Sequence, residues 1–266
     1  MAGVSPPITR FDLGRVIQRT FSSIGRNFGV FALLALLLAG VPAALTGGLL
    51  ALASQGAASG PTTADDNTLM ATGASAFGLV YLVAAVAAYV LRGAIVHGAV
   101  ADLNGRRASF GECFSTGLRH VGWLFLLAIV VTLAEVLGYI LLIVPGLMML
   151  TAWIVAVPAQ VVERTGVFGA MARSAELTRG HRWPIFGLIV IFLLGSGMIQ
   201  SVVIGLLSAV AATSANTGEI VSQLVLQPLA NALTGLVGAV GVASIYYELR
   251  STREGIGPEA LAAVFD

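Results

Sequence analysis

The chain has no lysine; all fourteen of its basic residues are arginine. We read this as compositional bias of the genome rather than as function. Charge of either sign is scarce. Only 10% of the 266 residues are Asp, Glu, Lys or Arg, against about 25% in soluble globular domains. Too little polar surface remains for a water-soluble fold. The single cysteine, Cys113, excludes an intramolecular disulfide and any cysteine-based metal cluster. The three histidines, His97, His120 and His181, are scattered and lack partners at ligand spacing, so no metal site is expected. There is no phosphate-binding glycine loop, no G-x-S-x-G elbow and no dinucleotide fingerprint. No cofactor and no catalytic set are therefore expected. Net charge is +1, which supplies no field to recruit nucleic acid. The N-terminal MAGVSPPITRFDLGRVIQRTF has a long polar lead and no small-residue cleavage site. It does not read as a cleavable signal peptide, and the first apolar segment is expected to stay as a span.

What the chain does have is apolar sequence in long blocks, 57% of all residues. Segments of about 20 such residues cross a hydrocarbon core of about 30 Å as helices. The reading is an all-α, polytopic membrane helical bundle forming one domain over residues 1–266. Spans are expected at about 28–52, 74–96, 121–144, 147–162, 184–210 and 219–247. Pro42 and Pro228 should kink spans 1 and 6, which membrane helices tolerate. Residues 53–73 read as the one long polar loop, Pro145-Gly146 as the turn between spans 3 and 4, and 211–218 as a short loop. The sequence from Glu248 onward reads as a polar tail. Gly235, Ala239 and Ala243 in span 6 and Gly195-Ser196-Gly197 in span 5 should permit close helix contact.

Arginine placement sets the expected orientation. The loops after spans 1, 3 and 5 contain none, whereas the N-terminal arm, the loops after spans 2 and 4, and the tail contain all but Arg92. By the positive-inside rule both termini are expected in the cytoplasm, for a multi-pass protein of the inner membrane.

Residues 9–27 read as an interfacial helix capped by Thr9. Arg15, Arg19, Ser22 and Arg26 share one arc, with Leu13, Ile17, Phe21, Ile24 and Phe28 opposite. Its apolar face can meet lipid or neighbouring spans. A second short helix should open at Ser109, with Glu112 completing a capping box. A third should run from about Val167 to a stop at Gly180. Each short helix leads to a basic residue or histidine, an aromatic, and a pair of spans. The junctions are Arg26-Asn27-Phe28, Arg119-His120-Val121-Gly122-Trp123 and His181-Arg182-Trp183. A cation at headgroup level beside an interfacial ring suits a chain turning into the bilayer. Three elbow-plus-hairpin repeats are the expected arrangement.

The third elbow carries a further pattern. Pro158, Glu163, Arg173-Ser174, Leu177-Thr178, Gly180 and Trp183 give P-x4-E followed by R-S-x2-L-T-x-G-x2-W. With Val144–Leu147 (VPGL), the N-terminal elbow and the span count, the chain resembles the membrane domain attached to some bacterial glycerophosphoryl diester phosphodiesterases. It also resembles their stand-alone, YciC-like relatives. In the fused proteins the chemistry belongs to a separate soluble barrel, whose acidic and histidine motifs are not found here. The resemblance therefore implies a membrane module without phosphodiesterase activity, with Glu163, Arg173, Ser174 and Trp183 at its elbow; Arg179 and Arg182 join them as interfacial arginines of the same elbow.

Within the spans, Glu135 is the exceptional residue. A carboxylate at bilayer depth costs about 2.5–3.5 kcal/mol on insertion scales for a central Asp. It is either functional, as a cation- or proton-linked site or a lipid-headgroup contact, or a protonated or hydrogen-bonded link between helices; the second reading is preferred. Arg92 lies near the inner end of span 2. Gln200, together with Gln223, Gln227 and Asn231 at four-residue spacing, completes the candidate intramembrane polar site. The same stripe suits hydrogen-bonded packing. The expected function is a non-catalytic module that binds membrane lipids, a membrane or cytoplasmic protein, or a second copy of the chain. The alternative is a small transporter or channel built on Glu135 and the span 6 face.

Overall fold

The computed structural model describes residues 11–58, 66–141, 143–211 and 222–254. Every regular element among them is helical. Six helical stretches are long and apolar enough to cross a membrane: Phe28–Leu49, Gly78–Leu103, Phe110–Gly138, Gly146–Glu163, Arg182–Leu206 and Leu224–Glu254. They correspond to the six spans expected.

Helix α1 (Leu13–Arg26) starts one turn later than the sequence suggested. The cap is Asp12, whose Oδ1 accepts from the N–H groups of Gly14 (2.8 Å) and Arg15 (3.3 Å); a carboxylate there satisfies orphan donors and meets the positive end of the helix. Thr9 lies outside the described residues. After Asn27 the chain enters span 1 as α2 (Phe28–Ala35), a π-helical turn (Leu36–Gly40) and α3 (Val41–Ala58). Span 6 has the same device, a π-helical turn (Ser222–Leu226) just before α10 (Gln227–Glu254). In both spans the widened turn precedes the proline, Pro42 or Pro228, whose ring cannot fit a regular preceding turn. The two sites adjoin: a Cβ on Gly40 would lie 3.7 Å from the Pro228 carbonyl.

Four expectations need correction. Residues 53–73 do not form a long loop, because α3 continues to Ala58 and α4 (Asp66–Leu103) already begins at Asp66. The second elbow is absent: α5 (Phe110–Leu141) runs unbroken through Arg119, His120 and Trp123. Nothing in RHVGW breaks a helix, and the Ser109 hydroxyl that accepts from Glu112 N–H caps the whole span. The repeat is thus twofold in this respect. Pro145 and Gly146 do not turn the chain; they lie in the first turns of α6 (Ile143–Trp153), where a proline forfeits no helical bond. Finally, α10 does not end at Tyr247 but continues to Glu254, with Glu248, Leu249 and Ser251 buried.

Span 4 is two helices, α6 and α7 (Ala156–Glu163), interrupted at Ile154-Val155. α8 (Gly166–Thr178) follows, and after Gly180 (φ 88°) the chain enters α9 (Arg182–Ala211). Span 6 is the central stave, 56% of its most apolar 18-residue stretch being buried, and span 5 the peripheral one, with 11% of its own. Spans 2 and 3 approach most closely. A Cβ on Gly117 would sit 2.4 Å from the Val90 carbonyl, and one on Gly93 would sit 3.3 Å from Gly117 Cα. Span 6 packs Ala239 and Ala243 inward, as expected of small residues. Gly195 and Gly197 instead face open space, with nothing within 4 Å of an added Cβ.

Candidate functional site

Three features could serve a function: the arginine-rich end of the bundle, the intramembrane polar residues, and the lateral grooves around span 5.

At the arginine-rich end, charges pair across the sequence. α1 turns its basic face inward. Arg19 Nη1 donates to Glu248 Oε2, Arg15 Nε lies 3.3 Å from Glu248 Oε1, and the Arg19 guanidinium also covers the Tyr247 ring at 5.1 Å. Glu248 has a side chain fully shielded from solvent. Arg26 holds Asp102, at the end of α4, through two parallel bonds of 3.1 and 2.6 Å. These hydrogen bonds, first among the causes, raise the Arg26 guanidinium above its ordinary value. Consequently Phe21 and Phe28 point outward, 59% and 57% exposed. The basic face meets protein and part of the apolar face is left exposed.

The third elbow is tied in the same way. Arg173 Nε donates to both oxygens of Glu163 (3.1 and 2.9 Å), and its other nitrogens reach Glu176 (3.4 Å) and Glu254. Burial would lower the Arg173 guanidinium, but the Glu163 and Glu176 carboxylates outweigh it and raise it. Tyr246 Oη donates to Glu163 Oε1 at 2.8 Å, and Arg250 Nε to Glu254 Oε2 at 2.8 Å. Ser174 Oγ donates to the Ala152 carbonyl, beside the break in span 4, at 2.7 Å. Thr178 Oγ1 is 3.3 Å from the same oxygen, but its one proton has a nearer acceptor in the Ser174 carbonyl at 2.9 Å. Irregular backbone at membrane depth is thereby enclosed in protein. The residues of the P-x4-E…R-S-x2-L-T-x-G-x2-W pattern therefore divide. Glu163, Arg173, Ser174, Leu177 and Thr178 lock α8 onto spans 4 and 6, Gly180 supplies the left-handed turn, and Trp183, 84% exposed, lies on the surface.

Every described carboxylate at this end thus has an arginine partner. Among the described residues no carboxylate is within ion-pair distance of Arg107, Arg119, Arg164, Arg179, Arg182 or Arg253. Arg253 Nη2 instead donates to the Arg179 carbonyl, placing those two arginines side by side next to Arg182 and Trp183. Arg119 and Trp123 are exposed on α5, while His120 is buried, its Nδ1 2.8 Å from the Thr116 carbonyl.

The intramembrane polar residues do not come together. Glu135, Gln200 and Gln227 are half-buried, Asn231 and Arg92 are exposed, and the Arg92 guanidinium covers the Tyr89 ring at 5.2 Å. None of these five makes a hydrogen bond or ion pair with another among the described residues. The Gln223 side chain lies outside the described residues. Among those described, no three His, Cys, Asp or Glu side chains converge as a metal ion would require.

One concavity is lateral. A groove of about 590 Å³ separates span 5 from span 6 and reaches Ile17 and Phe21 of α1. Phe192, set against Gly241, bridges the two spans; a Cβ on Gly241 would lie 2.6 Å from that ring. Beyond it Gly235 and Gly238 floor the groove, and the exposed Ile191, Leu193 and Gly195 form its outer edge. Its two hydroxyls are already satisfied: Ser196 Oγ donates to the Leu193 carbonyl and Thr234 Oγ1 to that of Ala230. The walls thus offer hydrocarbon contact and no free donor from those hydroxyls. A smaller slot of about 250 Å³ lies between span 4 and the start of span 5, walled by Leu147, Met148, Thr151, Arg182, Trp183 and Phe186.

In the comparisons with known proteins, no family model, no curated protein and no solved structure matches the chain.

Proposed function

We propose that this multi-pass membrane protein is a non-catalytic lipid-binding module of the inner membrane that holds an acyl chain in the groove between spans 5 and 6. The groove carries the reading. Its volume of about 590 Å³ falls within the roughly 300–1,000 Å³ typical of small-molecule sites. It is apolar, its hydroxyls are occupied, and it opens sideways where lipid would be. Polar solutes would find no donor to replace water there; a hydrocarbon chain needs none.

The arginine-rich end faces the cytoplasm on this reading, with both termini inside. The uncompensated Arg179, Arg182 and Arg253 beside Trp183 then lie at headgroup level, where anionic lipid attracts each basic residue by about 1 kcal/mol. The resemblance to the membrane domain of glycerophosphoryl diester phosphodiesterases and to the YciC-like proteins fits a module of this kind, without phosphodiesterase activity of its own. A transporter or channel would need Glu135 joined to a polar path, and the outward-facing Asn231 speaks against one along span 6.

Gly238→Phe tests the groove. An added Cβ there meets nothing within 4 Å, so the ring fills empty space. Lipid extracted from purified protein should fall from about one tightly held molecule per chain to none, with the fold intact. Undiminished lipid would overturn the proposal, as would ion or solute flux in liposomes that Glu135→Gln abolishes.

A further inference from the structure

At the arginine-rich end, α4 and α7 finish beside one another. Between them is a polar cleft of about 360 Å³, walled by His97, Asn104, Arg106 and Arg164 over Val100 and Val161. α4 ends in a Schellman turn: Gly105 (φ 76°) donates to the Asp102 carbonyl at 2.9 Å and Arg106 N–H to that of Ala101 at 2.9 Å. That turn brings Asn104 and Arg106 to the cleft.

Arg164 reaches it by a costlier route. It closes α7 in the left-handed conformation (φ 53°, ψ 36°), its N–H donating to the Gln160 carbonyl at 3.1 Å. Glycine is the usual residue at such a position, and a residue with a Cβ loses roughly 1–2 kcal/mol there. Arg164 is the one non-glycine among the described residues with positive φ. Its guanidinium is exposed and has no carboxylate partner among them, since the adjacent Glu163 is taken by Arg173 and Tyr246.

The opposite wall is nearly balanced. Arg106 Nη2 donates to Glu112 Oε1 at 2.6 Å, and His97 Nε2 lies 3.5 Å from the same oxygen. That nitrogen is closed to solvent and makes no hydrogen bond. Glu112 is the carboxylate that borders the cleft, and Arg106 offsets it. The Arg164 charge is left over.

We propose that this cleft binds a phosphate-bearing anion. The unpaired Arg164 guanidinium, with the N–H groups of Arg106 not turned to Glu112 and the Asn104 amide in the same cleft, suits the planar, multidentate recognition of phosphate oxygens. The valine floor would take the attached organic group. The phosphate could belong to a lipid headgroup at the bilayer edge or to a free phosphomonoester. The site is separate from the acyl-chain groove, and the proposal does not depend on it.

The test is thermal unfolding of the full chain in detergent. Inorganic phosphate is compared with chloride at equal ionic strength, and mixed micelles containing phosphatidic acid with micelles of phosphatidylcholine. Binding to the native state raises the melting temperature saturably. Arg164→Gly removes the left-handed strain, so without anion it should melt as high as the wild type or higher. Its apparent affinity should fall about tenfold or more, as expected on losing a charged hydrogen bond. A rise with inorganic phosphate assigns a soluble anion; a rise with phosphatidic acid alone assigns a lipid headgroup. No rise in either comparison, or a full rise retained in Arg164→Gly, would overturn the proposal.

Discussion

Arg173 Nε reaches both carboxylate oxygens of Glu163, ten residues earlier, at 3.1 and 2.9 Å. The pair joins the end of span 4 to the middle of α8, and Tyr246 and Glu254 extend it to span 6. Arg173→Gln should therefore destabilise the protein by about 1.5–3 kcal/mol, the range for a hydrogen bond to a charged group. Arg179→Gln should cost well under 1 kcal/mol. Chemical denaturation in detergent, with both variants side by side, checks this difference. Equal losses would mean that Arg173 only anchors the surface.

Glu248 predicts an asymmetry. Its carboxylate is shielded from solvent, whereas Arg15 and Arg19 are 30% and 21% exposed. Removing both arginines strands a buried charge, at about 3–5 kcal/mol. Removing the carboxylate leaves two guanidiniums that can rehydrate. Arg15→Gln combined with Arg19→Gln should thus be more damaging than Glu248→Gln. Both variants should speed amide hydrogen exchange across 13–26, the helix they release. An order reversed in stability would contradict the pairing.

Ser174→Ala leaves the Ala152 carbonyl without its hydroxyl donor. The expected cost is about 1–3 kcal/mol for a buried acceptor left unmet. Faster exchange should appear on either side of Ile154-Val155, where span 4 is interrupted. Unchanged exchange there would show that the break is supported by other means.

Glycine substitutions should separate contact from open space. Gly117→Ala puts a methyl group 2.4 Å from a backbone carbonyl, which cannot yield as a side chain can. It should lower the melting temperature by several degrees or prevent assembly. Gly195→Ala meets nothing within 4 Å and should be neutral or slightly stabilising, since alanine costs less in a helix.

These contrasts mark what was legible beforehand. Span number and place follow from apolar length, because lipid imposes that length on every helix. The Arg26-Asn27-Phe28 and His181-Arg182-Trp183 junctions were readable where a real break exists: Asn27 between helices, Gly180 before the next. Arg119–Trp123 has the same composition without a breaker, and α5 continues through it. The pairing of Glu248 with Arg15 and Arg19 joins residues more than 200 positions apart, which no local pattern reveals. One local signal was present: Arg250 and Glu254 lie four apart, as a continuing helix would place them. Gly93 and Gly117 could not be singled out among 32 glycines, since only the helix crossing decides which ones lack room.

The central claim is that lipid occupies the groove between spans 5 and 6. The most direct measurement is photo-crosslinking in a bilayer with a phospholipid bearing a diazirine midway along its acyl chain, followed by peptide mapping. Adducts should concentrate on 189–199 and 234–245, the walls of the groove, and should disappear from both in Gly238→Phe. Adducts spread evenly over exposed apolar surface, such as Leu133, Leu137 and Ile140 of α5, and unaffected by that substitution, would contradict it.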